Sequence, residues 1–114
     1  MSNEFLDYME DILEAMGQAE MFVVGMSYEQ FEIDMRTNFA VTRALEIVGE
    51  ATKRLPQHIR QQYPSIPWKG MAGMRDRIIH GYDRVDLQIV WDVVKQDFPQ
   101  IKPQLQQILA DYKD

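Results

Sequence analysis

Arg75, His80 and Tyr82 fall in an R-x-x-x-x-H-x-Y pattern, and all three side-chain types suit phosphate chemistry. A guanidinium can fork two donors onto a phosphate. An imidazole trades a proton near neutral pH. A phenol hydroxyl can be a nucleophile or the acceptor of a modifying group. The same residues would serve equally as a helix end, with a surface arginine, a capping histidine and a packed tyrosine. One copy of the pattern offers a single proton-transfer group. Cutting a phosphodiester uses a base for the nucleophile and an acid for the leaving oxygen. The other histidine, His58, is distant in sequence. A two-fold axis beside the motif would bring two Arg75 and two His80 into one cleft, so a homodimer is expected.

Other chemistries find little support. Zinc requires three or four ligands, and His80 has no His or Cys partner at helical spacing. Asp76 and Asp83 stand without an acidic cluster that could hold magnesium firmly. Gly70 and Gly73 are close together but lack the Walker pattern, and no serine-hydrolase elbow is present. Neither a metal nor a cofactor is expected. The chain has no cysteine, which removes disulfides and thiolate nucleophiles and suits a reducing cytoplasm.

The net charge of −6 argues at first against nucleic acid. Its distribution argues otherwise. Residues 1–34 carry nine acids and no Lys or Arg. Residues 53–84 carry Lys53, Arg54, Arg60, Lys69, Arg75, Arg77 and Arg84 against Asp76 and Asp83, a local excess of +5 that contains the motif. Local fields steer a polyanion more than net charge does. Lys69, Arg77 and Arg84 are therefore candidate RNA contacts. Solvated helix faces would give the same count.

The elements that must position these residues read as helices. The chain has the length of one domain, residues 1–114, with no linker or internal repeat, and its 46% hydrophobic and 26% charged composition is that of a soluble globular protein. Phe5, Met9, Ile12, Met16, Ala19 and Val23 alternate spacings of four and three, which predicts a helix over 3–24. Gly25 stops it, and Ser27-Tyr28-Glu29-Gln30 has the form of a capping box. A second long helix spans about 37–55, with Val41, Ala44, Val48, Ala51 and Leu55 as its stripe. Residues 56–63 read as a short helix, and 67–80 as the motif helix with Gly81 just past its end. On such a helix Arg75 and His80 would stand about 140° apart around the axis. A last helix from 86 carries Leu87, Trp91, Val94, Phe98, Ile101, Leu105, Ile108 and Tyr112, with a kink or break expected at Pro99 and Pro103. No segment alternates like a strand. The fold class expected is all-α, an up-and-down four-helix bundle with short extra helices. No apolar run approaches a membrane span, and the acidic N-terminus lacks the basic start of a signal peptide, so a cytoplasmic chain is expected.

The stretch Ile66-Pro67-Trp68-Lys69-Gly70-Met71-Ala72-Gly73-Met74-Arg75-Asp76-Arg77-Ile78-Ile79-His80-Gly81-Tyr82, followed by Val85-Asp86-Leu87-Gln88-Ile89-Val90-Trp91, resembles the HepT-like branch of the HEPN superfamily. The upstream Ile47-Val48-Gly49-Glu50-Ala51-Thr52-Lys53-Arg54-Leu55-Pro56 fits the same family, and the resemblance covers nearly the whole chain. It implies a helical bundle that dimerises. It implies a metal-independent ribonuclease, the toxin half of a toxin–antitoxin module whose partner is a minimal nucleotidyltransferase of the MntA type. Arg75 and His80 would be its catalytic pair. Asp76 takes a position that is polar, often Asn, in the family. Tyr82 matches the tyrosine that the antitoxin modifies with AMP. The competing reading is a dimeric binding partner that docks and is modified by such a nucleotidyltransferase without cutting RNA.

Overall fold

Phe5, Met9, Ile12, Met16 and Ala19 are all buried on one side of α1, Glu4–Phe22. Glu4 and Asp7 occupy its first turn, where carboxylates complement the helix dipole. The chain then turns through Gly25 at φ +76, a conformation that costs glycine little. These coordinates come from a computed structural model, which describes residues 4–113.

The expected capping box opens α2, Tyr28–Ile33. Ser27 Oγ accepts the Gln30 N–H at 3.2 Å, and Gln30 Oε1 accepts the Ser27 N–H at 2.9 Å. Asp34 ends α2 and begins α3, Met35–Lys53, where its carboxylate accepts the Thr37 N–H at 3.0 Å. Asn38 is buried and donates to the carbonyls of Phe31 and Glu32, closing the last turn of α2. α3 lies along α1 and buries Val41, Ala44, Val48 and Ala51; Leu55, just beyond it, is buried too. This pairing is the centre of the core.

Pro56 precedes α4, Gln57–Gln62. The segment 67–80 is not one helix. It is α5, Trp68–Ala72, then α6, Met74–Ile78, joined at Gly73. Glycine is a poor helix former, and the break lets both short helices turn a side onto α3. Trp68 and Met71 from α5 and Met74 and Ile78 from α6 are buried there.

The last rod begins at α7, Leu87–Asp92, capped by Asp86, whose carboxylate accepts the Ile89 N–H at 3.1 Å. It continues without a break into α8, Phe98–Lys113. The two are joined by a π turn over Val93–Asp97, in which the Phe98 N–H reaches the Val93 carbonyl five residues back. The helix does not break at Pro99 or Pro103, where a kink or break was expected; the regular pattern is disturbed just upstream, by this wider turn. In a regular helix the Pro99 ring would press on the carbonyl of Lys95, and a wider turn moves that carbonyl aside. Lys102 and Glu20, at 2.6 Å, tie α8 back to α1. The architecture is an all-α bundle. Among the described residues a single isolated bridge, Ile79 to Val85, is the nearest thing to a strand pair.

Candidate active site

Met74 and Ile78 lie four apart on α6 and are both buried, which turns Arg75, Asp76 and Arg77 outward. Gly49 on α3 makes room for this packing, because its missing side chain is where Met74 and the Met71 carbonyl come in. Glu46 is three residues before Gly49 and faces the same side. Arg75 Nε stands 3.9 Å from Glu46 Oε2. The pair is loose, with the Arg75 side chain 62% exposed, so it orients the guanidinium without using up its donors.

The motif does not end as the sequence suggested. The helix stops at Ile78, and Ile79 is already extended at φ −113, ψ 123. A short ribbon follows. The His80 N–H donates to the Arg84 carbonyl at 2.8 Å, and the Asp86 N–H donates to the Ile78 carbonyl at 2.7 Å. Ile79 packs inward on the core, and side chains alternate along extended backbone, so His80 is turned outward and is exposed. Gly81 adopts φ +80, but it makes the turn of the ribbon rather than the cap of the helix. The expected 140° separation of Arg75 and His80 therefore does not apply. Ile79 alone, in extended backbone rather than helix, separates His80 from α6.

Tyr82 stands at the tip of this turn and is 99% exposed. It is not the packed tyrosine that a purely structural role would give. Arg84 follows on the return side, also exposed. Arg77 points the other way, its Nη1 3.4 Å from Asp97 Oδ2 on the π turn. Arg75 and Arg77, two residues apart, are thus drawn to different neighbours. Asp76 is exposed between them, and Lys69 is exposed on α5. His58 lies on α4, away from the ribbon in sequence and in element. Among the described residues no three His, Asp or Glu side chains are gathered as a metal ion would require, and no helix is long and apolar enough to cross a membrane. Sequence reasoning missed Glu46 and Asp97. Neither carries a local signal, since each is defined only by the helix that happens to pack beside it.

Arg75 is thus exposed on one short helix and His80 is exposed on the ribbon just past it, and the chain as a whole has relatives. The model of the HepT-like family, described as "Ribonuclease HepT-like", matches residues 12–108. The chain belongs to this HepT-like family. It is 44% identical over 108 residues to the "Probable ribonuclease HepT" of Thermococcus cleftensis, covering 95% of this chain and 98% of that one. It is 43% identical over 104 residues to MJ1216 of Methanocaldococcus jannaschii, named as a candidate RNase, covering 91% of this chain and 86% of the other. A Caldanaerobacter subterraneus protein, TTE0752, named in the same way, is 39% identical over 106 residues, 93% of this chain and 95% of its own. No solved structure gives a significant match. The HepT-like match contains α3, the split motif segment and the ribbon whole.

Proposed function

We propose that this chain is a metal-independent endoribonuclease, the toxin of a two-gene module whose antitoxin is a minimal nucleotidyltransferase. Its HepT-like membership and the local positive charge around α6 support the substrate class. The observation that carries the reading is the outward presentation of Arg75, His80 and Tyr82 by a short helix and a backbone-locked ribbon. A fold that needed these side chains for stability would bury them.

RNA carries its own nucleophile, the 2′-hydroxyl. In the proposed reaction one His80 takes that proton as the 2′-oxygen attacks phosphorus. Arg75 stabilises the charge that builds on the phosphorane oxygens, an effect worth roughly a hundred- to thousandfold in rate. His80 of a second copy gives a proton to the departing 5′-oxygen, leaving a 2′,3′-cyclic phosphate. A homodimer with its axis beside the ribbon supplies both imidazoles. Asp76, exposed beside Arg75 on α6, is assigned to the catalytic set with Arg75 and His80. Tyr82 is the acceptor of AMP from the antitoxin. The added group would set a negative charge near Arg75 and compete there with substrate.

The test is cleavage of a single-stranded oligoribonucleotide by purified chain in EDTA, with analysis of the product ends. Cyclic phosphate ends from the wild type, and none from folded Arg75→Ala or His80→Ala, are expected. Full cleavage by either folded variant removes that residue from the mechanism. The second reading, a non-catalytic partner of the nucleotidyltransferase, is favoured by one observation, the full exposure of Tyr82. Modification of Tyr82 in a chain that never cuts RNA would establish it.

A further inference from the structure

Beside the motif lies a groove of about 490 Å³, lined by Gln57, Arg60 and Gln61 from α4 and by Trp68, Lys69 and Ala72 from α5. It contains two cations, two carboxamides and an apolar floor, with no carboxylate among its lining residues. That composition differs from the groove between α1 and α3, where Asp11 and Glu50 offset Arg43 and Arg54.

The two cations are prepared differently. Arg60 is fixed. Its Nη2 donates to the carbonyls of Lys53, the last residue of α3, and Leu55, two residues beyond, at 3.2 and 3.4 Å. Both bonds are long and both use one nitrogen, while the buried Nε–H has no partner. The guanidinium is held in place but under-satisfied. Lys69 is exposed and makes no ion pair among the described residues. The floor is rigid as well, because Trp68 donates its indole N–H to the Tyr63 carbonyl at 2.9 Å. A cation on a flexible stem beside a fixed guanidinium suits a phosphate. Carboxamides carry donor and acceptor together, the combination that reads the edge of an unstacked base.

Lys69 on α5 precedes Arg75 on α6 by six residues, across the break at Gly73, so the groove and the motif belong to adjoining short helices.

We propose that this groove is a subsite for single-stranded RNA that holds a nucleotide flanking the one cleaved at Arg75 and His80. Lys69 and Arg60 take its phosphate, and Gln57 and Gln61 face its base. The inference rests on the ribonuclease reading and extends it from the scissile bond to its neighbourhood.

The experiment measures binding apart from cleavage. The probe is a fluorescein-labelled single strand of fully 2′-O-methylated RNA, which has no nucleophile and cannot be cut. Affinity is read by anisotropy over a range of salt for wild type, Lys69→Gln and Gln61→Glu, each checked for fold by circular dichroism. Both substitutions are at exposed positions that make no capping bond, whereas Arg60→Ala would also unpin the end of α3. Gln61→Glu is expected to weaken binding about tenfold. Lys69→Gln is expected to lower the slope of log affinity against log salt by about 0.7, the value of one lost single-strand phosphate contact. Unchanged affinity and slope in both folded variants overturn the subsite, as does a wild type that does not bind the probe. So does unchanged RNA binding together with weakened capture of the co-expressed nucleotidyltransferase, which would make the groove a protein surface. A wild type that binds through the groove but cuts no RNA supports the subsite while sinking the catalytic reading. A wild type that cuts, with groove variants that bind and cut equally, sinks the subsite alone.

Discussion

Gly49 and Met74 bring α3 and α6 into close contact: a methyl on Gly49 would stand 3.2 Å from Met74 Cβ and 3.3 Å from the Met71 carbonyl oxygen. The second neighbour is backbone and cannot swing away as a flexible side chain would. Alanine in a helix interior ordinarily gains about 0.5–1 kcal/mol over glycine. Overpacking costs about 1–3 kcal/mol. Gly49→Ala is therefore expected to destabilise by about 1 kcal/mol net, lowering Tm by about 4 °C. RNA cleavage should fall further than that loss explains, because the motif segment is what must move. A melting curve at or above the wild type would show that α5 and α6 yield freely.

Glu46 orients Arg75 but also competes with any phosphate for it. Glu46→Gln keeps the shape and removes the charge. An exposed pair of this kind is worth about 0.2–1 kcal/mol, so RNA affinity should rise by up to about fivefold. The increase should vanish in Arg75→Ala. If Glu46→Gln binds RNA more weakly than wild type, the carboxylate is needed to place the guanidinium.

Tyr82 contributes nothing to the core, and Tyr82→Phe should leave stability within about 0.5 kcal/mol of wild type. On co-expression with the cognate nucleotidyltransferase, the wild type should gain the mass of one or more AMP groups on the peptide holding residue 82. The Phe variant should gain none and remain toxic. Neutralisation of Tyr82→Phe as effective as that of wild type would place the switch elsewhere.

Asp34 holds the joint between α2 and α3. The Thr37 N–H bonded to its carboxylate holds its pKa below the ordinary aspartate value, with Arg36 nearby acting in the same direction. The folded state thus binds the proton less readily than the unfolded chain. Its contribution to stability is present above the ordinary aspartate value, about 4, and is lost as pH falls through the lower folded-state value. Asp34→Ala should lower Tm clearly at neutral pH, and the deficit should shrink as pH falls below the ordinary aspartate value of about 4. An equal deficit above and below that value would mean the cap acts through something other than the ionised carboxylate.

The long helices were legible because each carries its own periodic stripe. Phe5 through Val23 and Val41 through Leu55 bury as their spacing requires, and Ser27 declares its capping box within four residues. The end of the motif helix was not legible. Arg77, Ile78 and Ile79 continue an acceptable helical pattern, and only the bridge from Ile79 to Val85 and the two backbone bonds around His80 decide against it. Those bonds join residues on either side of a turn whose strength no local propensity reveals. Two prolines suggested where the last rod would be disturbed, but not that the disturbance would be absorbed by widening one turn. The partners of Arg75 and Arg77 belong to other helices and had no signal at all. Within the candidate site, then, residue types were readable and their directions were not.

The widened turn at Val93–Asp97 is a phase dislocation. A helix that gains one residue per turn without breaking rotates everything beyond it by roughly 100°. α7 is set to face α2, α3 and α6, and α8 is set to face α1. One uninterrupted rod therefore serves two sets of neighbours at two different angular settings, with no loop between them. The far edge of the ribbon, through Asp86 and Ile78, hangs from the first setting alone. Deleting a single residue such as Gln96 would realign the rod into one regular screw, and the two faces could no longer both be satisfied.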